Sequence, residues 1–177
     1  MATYKLIANS VASGGAVSSV EFNSIPSTYT DLLLHCSWRS ESPGDDQQLT
    51  LSINNTSYAN IQGVYLQTGG TPVGGGRGAS NWIVGGGNAN GSTANVFTPT
   101  LVYITNYAST DKYKTFIIDN FMTGSVGAPT LYNYIEAVTK NFENTGTVIS
   151  SLNLRLSGGA TNLKQYSSFY LYGISNA

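Results

Sequence analysis

Asp31-Leu32-Leu33-Leu34-His35-Cys36-Ser37-Trp38-Arg39 carries no glycine, no proline and no helical repeat. Successive side chains of a strand point to opposite faces. Leu32, Leu34, Cys36 and Trp38 therefore share one face and are expected in a core, while Asp31, Leu33, His35, Ser37 and Arg39 fall on the other. Working outward, the same period of two recurs at Leu49, Leu51 and Ile53 and at Leu152, Leu154 and Leu156, with polar or charged residues between. Each of these strands has one dry face.

Short runs rich in β-branched and aromatic residues, bounded by Gly, Ser, Asn and Pro, continue along the whole chain. They predict strands near residues 4–8, 17–23, 30–40, 48–54, 58–66, 80–84, 98–106, 112–121, 131–141, 147–156 and 164–174. No long segment has a helical period with caps. The expected fold class is all-β, a two-sheet antiparallel β-sandwich, and 177 residues form one domain spanning 1–177. Phe169, Leu171 and Gly173 against Tyr170, Tyr172 and Ile174 leave the last strand without a polar face, so it is expected to lie buried between layers.

Asn54-Asn55 stands between two strand-like runs and suits the left-handed backbone of a hairpin. Ile25-Pro26 ends one strand, because proline cannot donate to a ladder, and the turn that follows is expected to be tied down by Asp31 or Thr30. The glycine-rich segments Gly69–Gly78 and Gly85–Gly91 read as long surface loops around Trp82. Binding function concentrates in loops, so Trp82, with Arg77 and Tyr65 near it in sequence, is the candidate partner-binding or ligand-binding set, against a buried role for Trp82.

The charge is sparse: 10% of residues are Asp, Glu, Lys or Arg, with a formal net charge of -1. Such a surface has little self-repulsion to hold copies apart. Scattered cations cannot form the basic stripe that binds a phosphate backbone, which argues against nucleic acid. No apolar stretch approaches the roughly 20 residues that cross a bilayer, and the first residues lack a secretory pattern, so neither membrane insertion nor export is expected.

The reading of catalysis is negative. His35 is the one histidine, its neighbour Cys36 points to the opposite face, and no GxSxG elbow is present, so an ordinary strand histidine is favoured over a catalytic one. A glycosidase needs two carboxylates across a cleft, a distance that linear sequence does not give for any pair of the nine here, so a glycan-cleaving enzyme stands well behind the non-catalytic readings. Asp45-Asp46 after Pro43-Gly44 can be read as a calcium loop or as a solvated turn, and the spaced Asp/Asn pattern of an EF-hand is missing. Gly74–Gly78 lacks the GK[ST] ending of a phosphate loop. No catalytic residue, metal site or cofactor is assigned.

Two ends of the chain carry a resemblance. Met1-Ala2-Thr3-Tyr4-Lys5-Leu6-Ile7-Ala8, the Ser-Gly-Gly that follows, Phe22-Asn23-Ser24-Ile25-Pro26-Ser27-Thr28-Tyr29-Thr30-Asp31-Leu32-Leu33-Leu34 and Tyr166-Ser167-Ser168-Phe169-Tyr170-Leu171-Tyr172-Gly173-Ile174 resemble small virion proteins of tailed phages, especially those of cyanobacteria and other aquatic bacteria. The glycine-rich middle lies outside the pattern. The resemblance implies a jelly-roll-like sandwich in a virion, made in the host cytoplasm and without enzymatic activity. It implies a capsid decoration (cement) protein, expected as a homotrimer contacting the major capsid protein or other virion proteins. The alternative is a glycan-binding component of a tail fibre or spike.

Overall fold

The computed structural model describes residues 2–44, 46–55, 61–65, 74–78, 83–122, 134–142, 146–158 and 161–175. These contain β1 (Thr3–Val11), β2 (Ser19–Phe22), β3 (Asp31–Trp38), β4 (Asp46–Ile53), β5 (Ile61–Tyr65), β6 (Gly74–Gly78), β7 (Ile83–Asn88), β8 (Thr98–Ile104), β9 (Lys114–Met122), β10 (Tyr134–Phe142), β11 (Leu152–Leu156) and β12 (Ser168–Ser175). Two antiparallel sheets form a sandwich. One has the order β1-β12-β3-β8-β9-β10, the other β2-β11-β4-β7, and β5-β6 form a separate ribbon.

The pairing is nested. β1 lies on β12, β2 on β11, β3 on β8 and β4 on β7. Folding that long ladder over on itself brings β12 onto β3 and β11 onto β4, which is the double Greek key of an eight-stranded jelly roll. The β5–β6 ribbon is inserted between β4 and β7. The β9–β10 pair follows β8 and widens one sheet.

The two clearest alternations in the sequence turn out to be partners. Leu152, Leu154 and Leu156 lie opposite Ile53, Leu51 and Leu49, and Leu152 and Leu154 also face Phe22 and Val20 on the other side. All are buried and meet Leu32, Leu34, Cys36, Trp38, Val102, Ile104, Phe116, Ile118, Phe169 and Leu171 of the opposite sheet in one hydrophobic cluster. Side chains of this size contribute roughly 1.5–3 kcal/mol each when fully buried, so this cluster sets the register of both sheets. Burial also holds the Cys36 thiol far above its ordinary range, as an inert apolar filler.

Four sequence expectations are corrected here. The first concerns the glycine-rich segments: Gly74–Gly78 is strand β6 and Gly85–Asn88 belongs to β7, not to loops. In β7 the missing side chains make room for the opposite sheet. A Cβ on Gly87 would stand 2.4 Å from the Trp38 ring, and one on Gly85, whose φ is +151°, would stand 2.3 Å from Asn120. The second is the hairpin. Asn54 and Asn55 do adopt left-handed backbone, with φ of 50° and 57°, but β4 pairs with β7 and β11 and β5 pairs with β6. The Asn54 carboxamide instead receives the Ser150 and Ser151 N–H groups and donates to the Val148 carbonyl, anchoring the approach to β11.

The third is the last strand. Phe169 and Leu171 are in the core, but Tyr170 and Tyr172 are half-buried, because no second layer of described residues covers that face. The fourth is Arg39, placed on the outer side by alternation and found fully buried just past the end of β3. Its guanidinium donates to the carbonyls of Ala89, Ser92, Thr93 and Val96, winding the 89–96 segment around it. Burial lowers its proton affinity below the ordinary arginine value.

Candidate interaction face

The outer face of the six-stranded sheet is built from the strand positions that the core does not use. Its register aligns side chains in rows across the strands. One row runs Leu6, Tyr172, Leu33, Tyr103, Ile117 across β1, β12, β3, β8 and β9. The next runs Asn9, Tyr170, His35, Leu101, Asp119 over the same strands. A bulge in β1 between Leu6 and Ala8 keeps Leu6 and Asn9 on the same side while turning Ile7 toward the core.

An antiparallel sheet with one solvated face ordinarily shows polar residues there. This one does not. Among the described residues eight large hydrophobic side chains are exposed, and Tyr4, Leu6, Val11, Leu101, Ile117 and Phe121 all lie on this sheet face, leaving only Tyr113 and Tyr166 elsewhere. Leu101, Ile117 and Phe121 are 39%, 46% and 43% exposed and occupy adjacent strands. Clustering of this kind marks interaction surfaces, whereas single exposed apolar residues are ordinary.

Apart from tyrosines, the ionisable side chains on the described part of this face are Asp31, His35 and Asp119. Asp31 is already engaged: one carboxylate oxygen accepts from the Tyr103 hydroxyl at 2.6 Å and the other from the Asn106 N–H at 2.8 Å. The carboxylate thus ties β3 to β8 and to the turn after it, not to its own preceding turn as the sequence suggested. Tyr103 is pushed up to about 12, first by this hydrogen bond, then by burial and by the Asp31 charge. The His35 and Asp119 side chains are exposed and make no hydrogen bond among the described residues.

The chain shows no match to any family model, curated protein or solved structure with which it was compared. The face is therefore interpreted from its own chemistry.

The loop residues singled out by sequence are distributed differently. Trp82 lies outside the described residues. Tyr65 ends β5 opposite Gly74, and Arg77 lies in β6 opposite Gln62, so the register sets the two three positions apart along the ribbon. Asp45 lies outside the described residues, and Asp46 opens β4. Leu101, Ile117 and Phe121 were missed as interaction residues. The signal was present: each is apolar at a strand position out of phase with an apolar core series, in Leu101 beside Val102, Ile117 beside Ile118 and Phe121 beside Met122.

Proposed function

We propose that this protein is a structural component of a tailed-phage particle, a head decoration protein that works through protein–protein contacts with copies of itself and with the coat. The carrying observation is the outer face of the six-stranded sheet, on whose described part Tyr4, Leu6, Val11, Leu101, Ile117 and Phe121 stand exposed beside few ionisable groups. A surface of that kind gains free energy from being covered by protein. The terminal segments that resemble virion proteins of tailed phages support placing it in a particle.

No chemistry is required of such a component. Contacts that are individually weak become strong when a lattice engages several at once through effective concentration. Assembly also covers sheet edges, which among the described strands include β1 in one sheet and β2 and β7 in the other.

Cryo-electron microscopy of virions carrying a labelled copy tests the assignment. The expected result is density repeating on the head lattice. Density confined to the tips of tail fibres would overturn it in favour of a host-binding role.

A further inference from the structure

We propose that the outer face of the six-stranded sheet pairs with the same face of a second copy of this chain, about a two-fold axis running along β8. The pairing follows from the register and from the His35 imidazole and Asp119 carboxylate on either side of β8, and it does not depend on which part of a particle carries the protein.

β8 has β3 on one side and β9 on the other. In one transverse row these strands present His35, Leu101 and Asp119, and in the next they present Leu33, Tyr103 and Ile117. Neighbouring strands are about 4.8 Å apart, so His35 and Asp119 of one chain are separated by roughly 10 Å, too far for a direct bond within that chain. They flank Leu101 symmetrically, an imidazole on one side and a carboxylate on the other.

A rotation of 180° about an axis along β8, lying between two stacked sheets, exchanges the two sides. β3 of one copy then lies over β9 of the other. Leu101 meets Leu101 and Tyr103 meets Tyr103 on the axis. Leu33 meets Ile117, and His35 meets Asp119 twice, once on each side. In these two rows the facing groups are apolar on apolar, tyrosine on tyrosine or donor on acceptor, as a self-complementary interface requires, while the neighbouring row sets Ser37 against Phe121.

An axis across the strands would instead stack His35 on His35 and Asp119 on Asp119 when it passes through their row, and would set Leu33 over His35 and Ile117 over Asp119 when it passes midway between the two rows. Face-to-face sheets stack about 10 Å apart with strand directions roughly 30° from one another, a geometry that an axis close to β8 supplies. The face therefore specifies a pair. A trimer, the assembly implied by the sequence resemblance, would have to use another surface.

Sedimentation equilibrium on the purified full-length chain and its variants tests this. The wild type is expected at the mass of two copies. His35→Asp sets two carboxylates against each other in both pairs, and Asp119→Lys sets a cation against His35. Each change is expected to raise the dimer dissociation constant at least about tenfold, a difference of about 1.4 kcal/mol. An equimolar mixture of the two variants is expected to recover association. In the mixed pair the new carboxylate faces the new ammonium on one side, and the native His35 faces the native Asp119 on the other.

Leu101→Glu, which places two carboxylates on the axis, is expected to abolish the dimer while circular dichroism and the unfolding midpoint stay those of a folded sandwich. A wild type of one or three copies overturns the proposal. So does a dimer whose mass is indifferent to these changes, or a mixture that associates no better than its separate components.

Discussion

Gly87 lies flat against Trp38 across the sandwich, with the indole Cη2 and Cζ2 only 2.4 Å from where a Cβ would be. Trp38 is fully buried, and its Nε1–H donates to the Thr100 hydroxyl at 2.9 Å. The ring is thus held by a hydrogen bond within its own sheet and by bare backbone of the facing one. Gly86, one residue earlier, would place a Cβ 3.7 Å from the Met122 sulfur, an ordinary contact.

Gly87→Ala is therefore expected to destabilise the fold by about 1–3 kcal/mol through overpacking. Gly86→Ala is expected to remain within about 1 kcal/mol of the native chain, because a strand alanine also reduces the freedom of the unfolded state. Urea denaturation of the two variants measures both values. Equal losses would show that β7 needs glycine for some reason other than the Trp38 ring.

The Thr100 hydroxyl links the two sheets. It accepts from Trp38 and donates to the Asn120 carbonyl oxygen at 2.6 Å, and the Asn120 amide donates to the Gly86 carbonyl at 2.8 Å. Thr100→Val keeps the shape and leaves the buried indole N–H and the Asn120 oxygen each without this partner. The expected cost is about 1–3 kcal/mol, with Thr100→Ser retaining most of the stability. A threonine-to-valine change with no loss in chemical denaturation would remove this relay as a determinant of how the sheets dock.

Arg39 holds the 89–96 segment by four carbonyl acceptors, with no carboxylate among its hydrogen-bond partners in the described residues; its Nε and the Asn88 Oδ1 are buried without partners among those residues. Arg39→Met withdraws every one of those donors, with an expected loss of about 3 kcal/mol or more. Lysine offers three donors without the planar fork, so Arg39→Lys should fall between. Hydrogen exchange of the 89–96 amides is expected to accelerate in both variants before that of β3.

Tyr103 gives a pH signature. The folded protein holds this phenolic proton more tightly than an unfolded chain, whose tyrosines titrate near 10. The stabilisation from the bond to Asp31 is therefore complete below pH about 10 and is lost as the pH rises toward the folded value of about 12. Alkaline titration of tyrosinate absorbance should show a late component that Tyr103→Phe removes. A variant titration curve identical in shape to the wild type would refute the coupling.

Strand by strand, the legible part of the fold was the part governed by local alternation. Leu49, Leu51 and Ile53, and Leu152, Leu154 and Leu156, announced their faces because a period of two with one apolar phase has a single reading. Gly85–Gly86–Gly87 misled for the complementary reason. A residue without a side chain carries no phase, and the cause of its being glycine lies on Trp38 and Asn120, remote in sequence and adjacent only across the sandwich. Arg39 misled because alternation assigns a side and not a burial. The loop that buries it comes roughly fifty residues later.

The amino-acid sequence by itself determined that the chain is all-β, that β3, β4 and β11 each have a core phase, and that few charges would decorate the surface. Those properties depend only on neighbouring residues and their chemistry. Tertiary structure alone decided the nested strand order, the close fit of β7 on Trp38, and the exposure of Leu101, Ile117 and Phe121. Strands apolar on both sides are equally consistent with burial between two layers and with one bare face. Only the arrangement of distant segments decides whether a second layer is there to cover them.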